Sequence, residues 1–236
     1  MTMEAGRSAT ALLLRLVRRV APPRVFLPEV HCAHVVKALR RLHIPLVFVP
    51  LVFGRWTWDV SRVRWARGLA LQTHLFGQVA DPPPRVAGLV VVEDCAHSVR
   101  AHGATSDFQL YSTGREKPLD LGGGGYLASQ DDTADWTTLR HRHYAWAAQA
   151  ERSAVVAYYA EQLPVHRTEH LLVLPVSDKR RAQQRLWDHG FLTFQGISGF
   201  APGGRGALRS VVILPLCSEW TVRQHKYRRG ELTQCL

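Results

Sequence analysis

Two side chains have the chemistry to act together on a carbonyl compound: Asp94, and Lys117 twenty-three positions later. Asp94 closes VAGLVVVED (86–94), a continuous apolar run ending on two carboxylates. In open α/β sheets ligands bind beyond the carboxyl ends of the strands, so an acid there is placed to meet one. The competing reading is an acid that caps the following helix. Lys117 lies in S-T-G-R-E-K-P-L. A lysine among apolar groups favours its neutral amine, which attacks carbonyls; a solvated loop lysine is the commoner case. The chain has only four lysines (37, 117, 179 and 226) against 26 arginines, so an incidental base here would more naturally be arginine.

His97 follows Asp94 by three residues, and a lone histidine is usually structural. Gly122–Gly125 could bring backbone N–H groups up to a phosphate, although a tight turn between strands explains four glycines equally well. The run does not fit G-x-x-x-x-G-K-[ST]. Ser112 and Ser8 stand near a turn and a helix start, where unpaired N–H groups and the helix dipole favour a phosphate; ordinary capping is the alternative.

Other chemistries find less support. Cys32, Cys95, Cys217 and Cys235 include no C-x-x-C pair, so neither a zinc site nor a disulfide scaffold is indicated. The twelve histidines include no H-E-x-x-H, so no metal ligand set is assigned. G-x-S-x-G is absent.

The elements that must position these residues alternate between strand and helix. Residues 8–20 read as a helix with Ser8 as N-cap and Pro22-Pro23 as its stop. A strand at 24–28, a helix at 32–44 and a strand at 45–53 follow, then a strand and turn at 70–78 and strands at 86–94 and 107–113. A Gly-rich turn over 114–129 leads into another strand. Beyond a boundary near residue 150 come a helix at 151–163, a β-α-β-like tail (170–176, 178–190, 210–216) and a last helix from Trp220. The glycines of 199–206 read as a loop. This alternation predicts an α/β fold with a mostly parallel sheet.

Thirty Lys+Arg against nineteen Asp+Glu give a net charge of +11, which invites a nucleic-acid reading. The arginines run from Arg7 to Arg229 without a basic block, so compositional bias explains them as well and nucleic acid is disfavoured as a partner. With 46% hydrophobic residues the chain can build a core. The apolar run Ala9–Leu16 is far short of the ~20 residues of a membrane span. Most of its basic neighbours follow it, unlike those of a signal peptide. A cytoplasmic protein is the expectation.

Together, VVEDCAHSVRAHG and SDFQLYSTGREKPLDLGGGGYLAS resemble the cofactor region of the DegT/DnrJ/EryC1/StrS sugar aminotransferases, a branch of the fold-type-I pyridoxal-phosphate enzymes. GRSATALLLRL, FLPEVHCAHVVKAL, HLFGQVAD, YYAEQLP and VVILPLCSEWT extend the likeness from about residue 6 to 225. The resemblance implies an α/β, fold-type-I-like protein: a mostly parallel central sheet flanked by helices over residues 1–150, the large cofactor-binding domain, and a small C-terminal α+β domain over 151–236. It implies pyridoxal 5'-phosphate held by Lys117 as a Schiff base, with Lys117 then moving the proton between Cα and C4′. Asp94 would pair with the pyridine nitrogen and His97 would lie against the ring or its 3′-oxygen side. Ser112, with Ser8 at the first helix N-terminus, would hold the phosphate. Cys32 or His31 falls where family members place an aromatic residue over the ring.

The resemblance further implies a homodimeric aminotransferase moving an amino group from an amino acid, glutamate being usual, to a keto-sugar or related ketone. Lys117 argues against the family's dehydratase branch, which lacks that lysine. Two departures stand out. The chain begins almost at the phosphate-binding helix, and the G-Y-N-x-R segment is not recognisable, residues 130–155 being shortened. The alternatives are a catalytically impaired homologue that serves as a cofactor-binding or partner subunit, and a basic nucleic-acid binder whose arginines gather on one face.

Overall fold

The computed structural model describes residues 4–98, 105–114, 117, 123–129, 154–155, 157–159, 166–167, 171–191, 193–194, 197–216, 225, 228 and 231–232. Its strands are β1 (Glu4–Gly6), β2 (Val25–Pro28), β3 (Val30–Cys32), β4 (Leu46–Val49), β5 (Gly68–Thr73), β6 (Leu89–Asp94), β7 (Phe108–Ser112), β8 (Gly125–Ser129), β9 (His166–Arg167), β10 (Leu171–Pro175), β11 (Ile197–Gly199) and β12 (Val211–Pro215). Its helices are α1 (Ala9–Val20), α2 (Ala33–Arg40), α3 (Lys179–Asp188) and α4 (Pro202–Arg209).

Seven strands form one sheet in the order β1-β8-β7-β6-β5-β2-β4. The run β4-β2-β5-β6-β7 is parallel, and β8 and β1 close the far edge antiparallel. Its centre is buried on both faces, which is why VVVED reads as a continuous apolar run. Alternate residues serve opposite layers. Val25, Leu27, Leu69, Leu71 and Val92 face a core completed by Leu12, Leu13, Leu16 and Val17 of α1 and Val36 and Leu39 of α2. Phe26 and Ala70 face the other way, onto Val49, Trp58 and Ala80. Each fully buried large apolar side chain contributes about 1.5–3 kcal/mol, enough to fix the register.

Helix α1 begins and ends as its sequence suggests. Ser8 accepts the Ala11 N–H at 3.1 Å, and Ala21 adopts a left-handed conformation just before Pro22.

A second sheet, β12-β10-β9, is antiparallel throughout. Leu172, Leu174, Val212 and Leu214 face Leu186 of α3, Tyr159 and Phe191. Leu171, Val173, Val211 and Ile213 face Trp56, Leu75 and Phe76, at the carboxyl edge of the large sheet. A two-stranded ribbon, β3 with β11, also joins the two parts of the chain.

Two local expectations are corrected. The 170–176 and 210–216 strands are antiparallel neighbours rather than the parallel pair of a β-α-β unit, because the intervening chain makes α3, β11 and α4 and returns to the same edge. The 199–206 glycines do not make a loop: Pro202 opens α4, and Gly203 and Gly204 pack it onto Glu29. A Cβ on Gly203 would lie 2.8 Å from Glu29 Oε1, and one on Gly204 would lie 2.8 Å from the Glu29 carbonyl oxygen. The expected boundary near residue 150 and most of the expected 151–163 and final helices lie outside the described residues. Among the described residues no helix is long and apolar enough to cross a membrane.

Candidate functional site

Strands β5, β6 and β7 deliver Thr73, Asp94 and Leu110 side by side at their carboxyl ends. Asp94 is buried; its Oδ1 accepts the Ala96 N–H at 3.0 Å, a local turn rather than a helix cap. Its Oδ2 points to His31, lying 3.6 Å from Nε2. The same His31 nitrogen lies 2.9 Å from Thr73 Oγ1.

The Lys117 charge acts on this imidazole as well. Burial is the main force holding His31 below its ordinary pKa; Asp94 and a contact with the Cys32 backbone oppose it, and the Lys117 ammonium lowers it further. One buried ring thus lies within the electrostatic reach of both the acid and the amine. Lys117 is half-buried, its N–H directed to the Gly114 carbonyl at 3.3 Å and its Nζ 5.7 Å from the centre of the Phe194 ring.

His97 shares that wall. Its ring meets Phe194 edge-on at 5.9 Å and stacks on Phe76 at 5.8 Å, with 15° between planes. His97 Nδ1 accepts the Phe76 N–H at 3.2 Å. Phe76 has φ 54°, a left-handed conformation that is costly for an aromatic residue, and this bond helps to hold it.

Ser8 and Ser112 flank the Gly124-Gly125 pair at the other end of the site. Ser8 bridges to Gly124, and Ser112 pairs in register with Gly125. A Cβ on Gly125 would lie 2.4 Å from the Ala9 nitrogen and 2.8 Å from the Tyr111 carbonyl oxygen, so only glycine lets β8 pass under the start of α1. Gly124 has φ 93°. The N-terminus of a twelve-residue helix, two hydroxyls and a glycine-lined edge make a cradle suited to a phosphate. Ser112 lies two residues beyond the level of Asp94 on the neighbouring strand, about 7 Å along the sheet.

The site therefore joins Asp94, His97 and Lys117 through His31 and Phe194, with Ser8 and Ser112 further along the same edge. Phe194 and Thr73 carried no signal in the sequence. Phe194 comes from the stretch after α3 and is anchored by its N–H to the Ile213 carbonyl at 2.7 Å.

On the opposite side of β6, His74, Glu93 and Cys95 bring potential metal ligands within 4.8 Å of one another. Their hydrogen bonds oppose metal binding. His74 Nδ1 accepts the Ala80 N–H at 3.0 Å, so Nε2 carries the ring proton, and it donates to Glu93 Oε1 at 2.7 Å. A metal would need that nitrogen's lone pair. Among the described residues the exposed arginines are spread over α1, α2, residues 55–67, α3 and α4, and no one of these elements concentrates them.

No family model and no curated protein sequence matches the chain. Solved structures do match its fold over almost its whole length. The putative sugar aminotransferase Spr1654 from Streptococcus pneumoniae, solved in its PMP form, superposes with a TM-score of 0.76 at 13% identity, over 99% of this chain and 86% of that one. The aminotransferase TlmJ from Streptoalloteichus hindustanus gives 0.73 at 15% identity, over 98% and 86%. A DegT/DnrJ/EryC1/StrS aminotransferase from Brucella abortus gives 0.69 at 15%, over 99% and 86%. The fold is that of the fold-type-I pyridoxal-phosphate aminotransferases. Among the structures that share this fold are the sugar aminotransferases that the sequence motifs resemble.

Proposed function

We propose that this protein is a pyridoxal-phosphate-dependent aminotransferase, moving an amino group from an amino acid such as glutamate to a keto-sugar or related ketone. The observation that carries the reading is the convergence of Asp94 and Lys117 on one buried imidazole, beside a helix N-terminus cleared by glycine. The residues fit the cofactor: a buried carboxylate for a ring nitrogen, an amine for an aldehyde, and a phosphate cradle beyond them. When bound, pyridoxal phosphate supplies an electron-accepting ring that no protein side chain offers.

The chain's own residues supply the rest. The Asp94 carboxylate keeps a proton on the pyridine nitrogen, and its burial strengthens that pairing. Lys117 Nζ binds the aldehyde end and later carries a proton between reacting carbons. Ser8, Ser112 and the first N–H groups of α1 hold the phosphate. The rings of His97 and Phe194 wall the site and exclude water from it.

The test is a half-reaction. Protein loaded with pyridoxal phosphate and mixed with glutamate should lose its visible absorbance and release one 2-oxoglutarate per site, and Lys117→Ala should do neither. Cofactor uptake without 2-oxoglutarate release would mark a cofactor-binding subunit instead of an enzyme.

A further inference from the structure

His31 enters the reading above only through its neighbours, yet its own hydrogen bonds assign it a task. The Thr73 hydroxyl has the Leu71 carbonyl at 3.2 Å as a place for its single proton, which leaves a lone pair for His31 Nε2 at 2.9 Å. The Asp94 carboxylate lies near the same ring nitrogen, Nε2, and favours a donor there. Nε2 therefore carries the proton, and Nδ1 of the neutral ring presents a lone pair. Nδ1 is fully buried and makes no hydrogen bond of good geometry among the described residues. Buried polar atoms of native proteins are nearly always paired, and an exception at a ligand site points to the ligand.

We infer that His31 Nδ1 accepts a hydrogen bond from a hydroxyl or ammonium group of the bound ligand, which makes His31 a ligand-positioning residue between Asp94 and Lys117. The inference rests on the pyridoxal-phosphate reading and adds a chemical demand to it: the ligand must bring a donor, and the histidine is more than an aromatic plate. That donor belongs either to the cofactor or to the amino-acid substrate.

Three substitutions separate the nitrogens from the ring. His31→Asn keeps an acceptor oxygen near the place of Nδ1. His31→Gln puts an amide near the place of Nε2, within reach of Thr73, and removes the Nδ1 acceptor. His31→Phe keeps the ring shape and loses both nitrogens. Circular dichroism and thermal midpoints verify folding, and should His31→Phe not fold, His31→Gln carries the comparison. The measurements are the dissociation constant for pyridoxal phosphate, by visible absorbance, and the glutamate concentration that half-saturates the half-reaction.

Asn should stay within about threefold of wild type while Gln and Phe lose about tenfold or more, the loss of one charged or well-formed hydrogen bond. The loss falls in the cofactor constant if the donor is the cofactor's. It falls in the glutamate constant alone if the donor is the substrate's. Wild-type values for His31→Phe, or equal losses in all three variants, would overturn the inference. Wild-type protein that takes up no pyridoxal phosphate overturns the function itself, and this inference with it; tight wild-type binding with an indifferent His31→Phe overturns the inference alone.

Discussion

Asp94 is held by two sorts of contact with different consequences. The Ala96 N–H fixes Oδ1, and an asparagine oxygen would accept that bond equally well. What Asp94→Asn removes is the negative charge. A hydrogen bond to a charged partner is worth about 1.5–3 kcal/mol, so the variant should fold normally and bind pyridoxal phosphate roughly 10- to 150-fold more weakly. An absorbance titration beside a melting curve checks both halves. Asp94, His97 and Lys117 were legible because their spacing and the glycines after them form a local pattern. Phe194 was not, because a long-range hydrogen bond to β12 delivers it and nothing local distinguishes it from any aromatic residue. His31 was legible only as a position over a ring; its tautomer depends on Thr73, forty-two residues away.

At the scale of elements, the contact between α1 and β8 shapes the phosphate end. Gly125 has backbone on two sides, the Ala9 nitrogen and the Tyr111 carbonyl oxygen, so an added methyl has no flexible neighbour to displace. Gly125→Ala should cost about 1–3 kcal/mol of stability and weaken cofactor binding by moving the helix N-terminus. Gly123→Ala, where nothing lies within 4 Å, should do neither. Denaturant melts and cofactor titrations of the pair separate the two. The parallel strands declared themselves by continuous apolar runs. The α4 helix did not, since glycine is a poor helix former and only packing against Glu29 gives Gly203 and Gly204 their purpose. The antiparallel return of β12 beside β10 was likewise hidden, because strand direction is set by the path between strands rather than by their composition.

Across the whole molecule, the second core contributes a pH dependence. His225 is buried near Tyr159 and Phe191, and burial lowers its pKa from 6.5 to about 4. The unfolded chain therefore binds more protons between those values, and stability rises with pH across that interval. The contribution is complete above pH 6.5 and is lost as pH falls toward 4, a change of about 3 kcal/mol. His225→Phe should remove that part of the pH dependence and leave the remainder in place. Urea unfolding of both proteins at pH 7 and pH 4.5 gives the comparison.

Lys117 is the amine proposed to take the cofactor, and chemical trapping can identify it without any assay of turnover. Purified protein is incubated with pyridoxal phosphate, its visible spectrum recorded, the adduct reduced with borohydride, and the digest mapped by mass spectrometry. The expected outcome is a visible band that borohydride abolishes and a single pyridoxyl group on Lys117. A label on Lys37, Lys179 or Lys226 in its place, or no label at all, would contradict it.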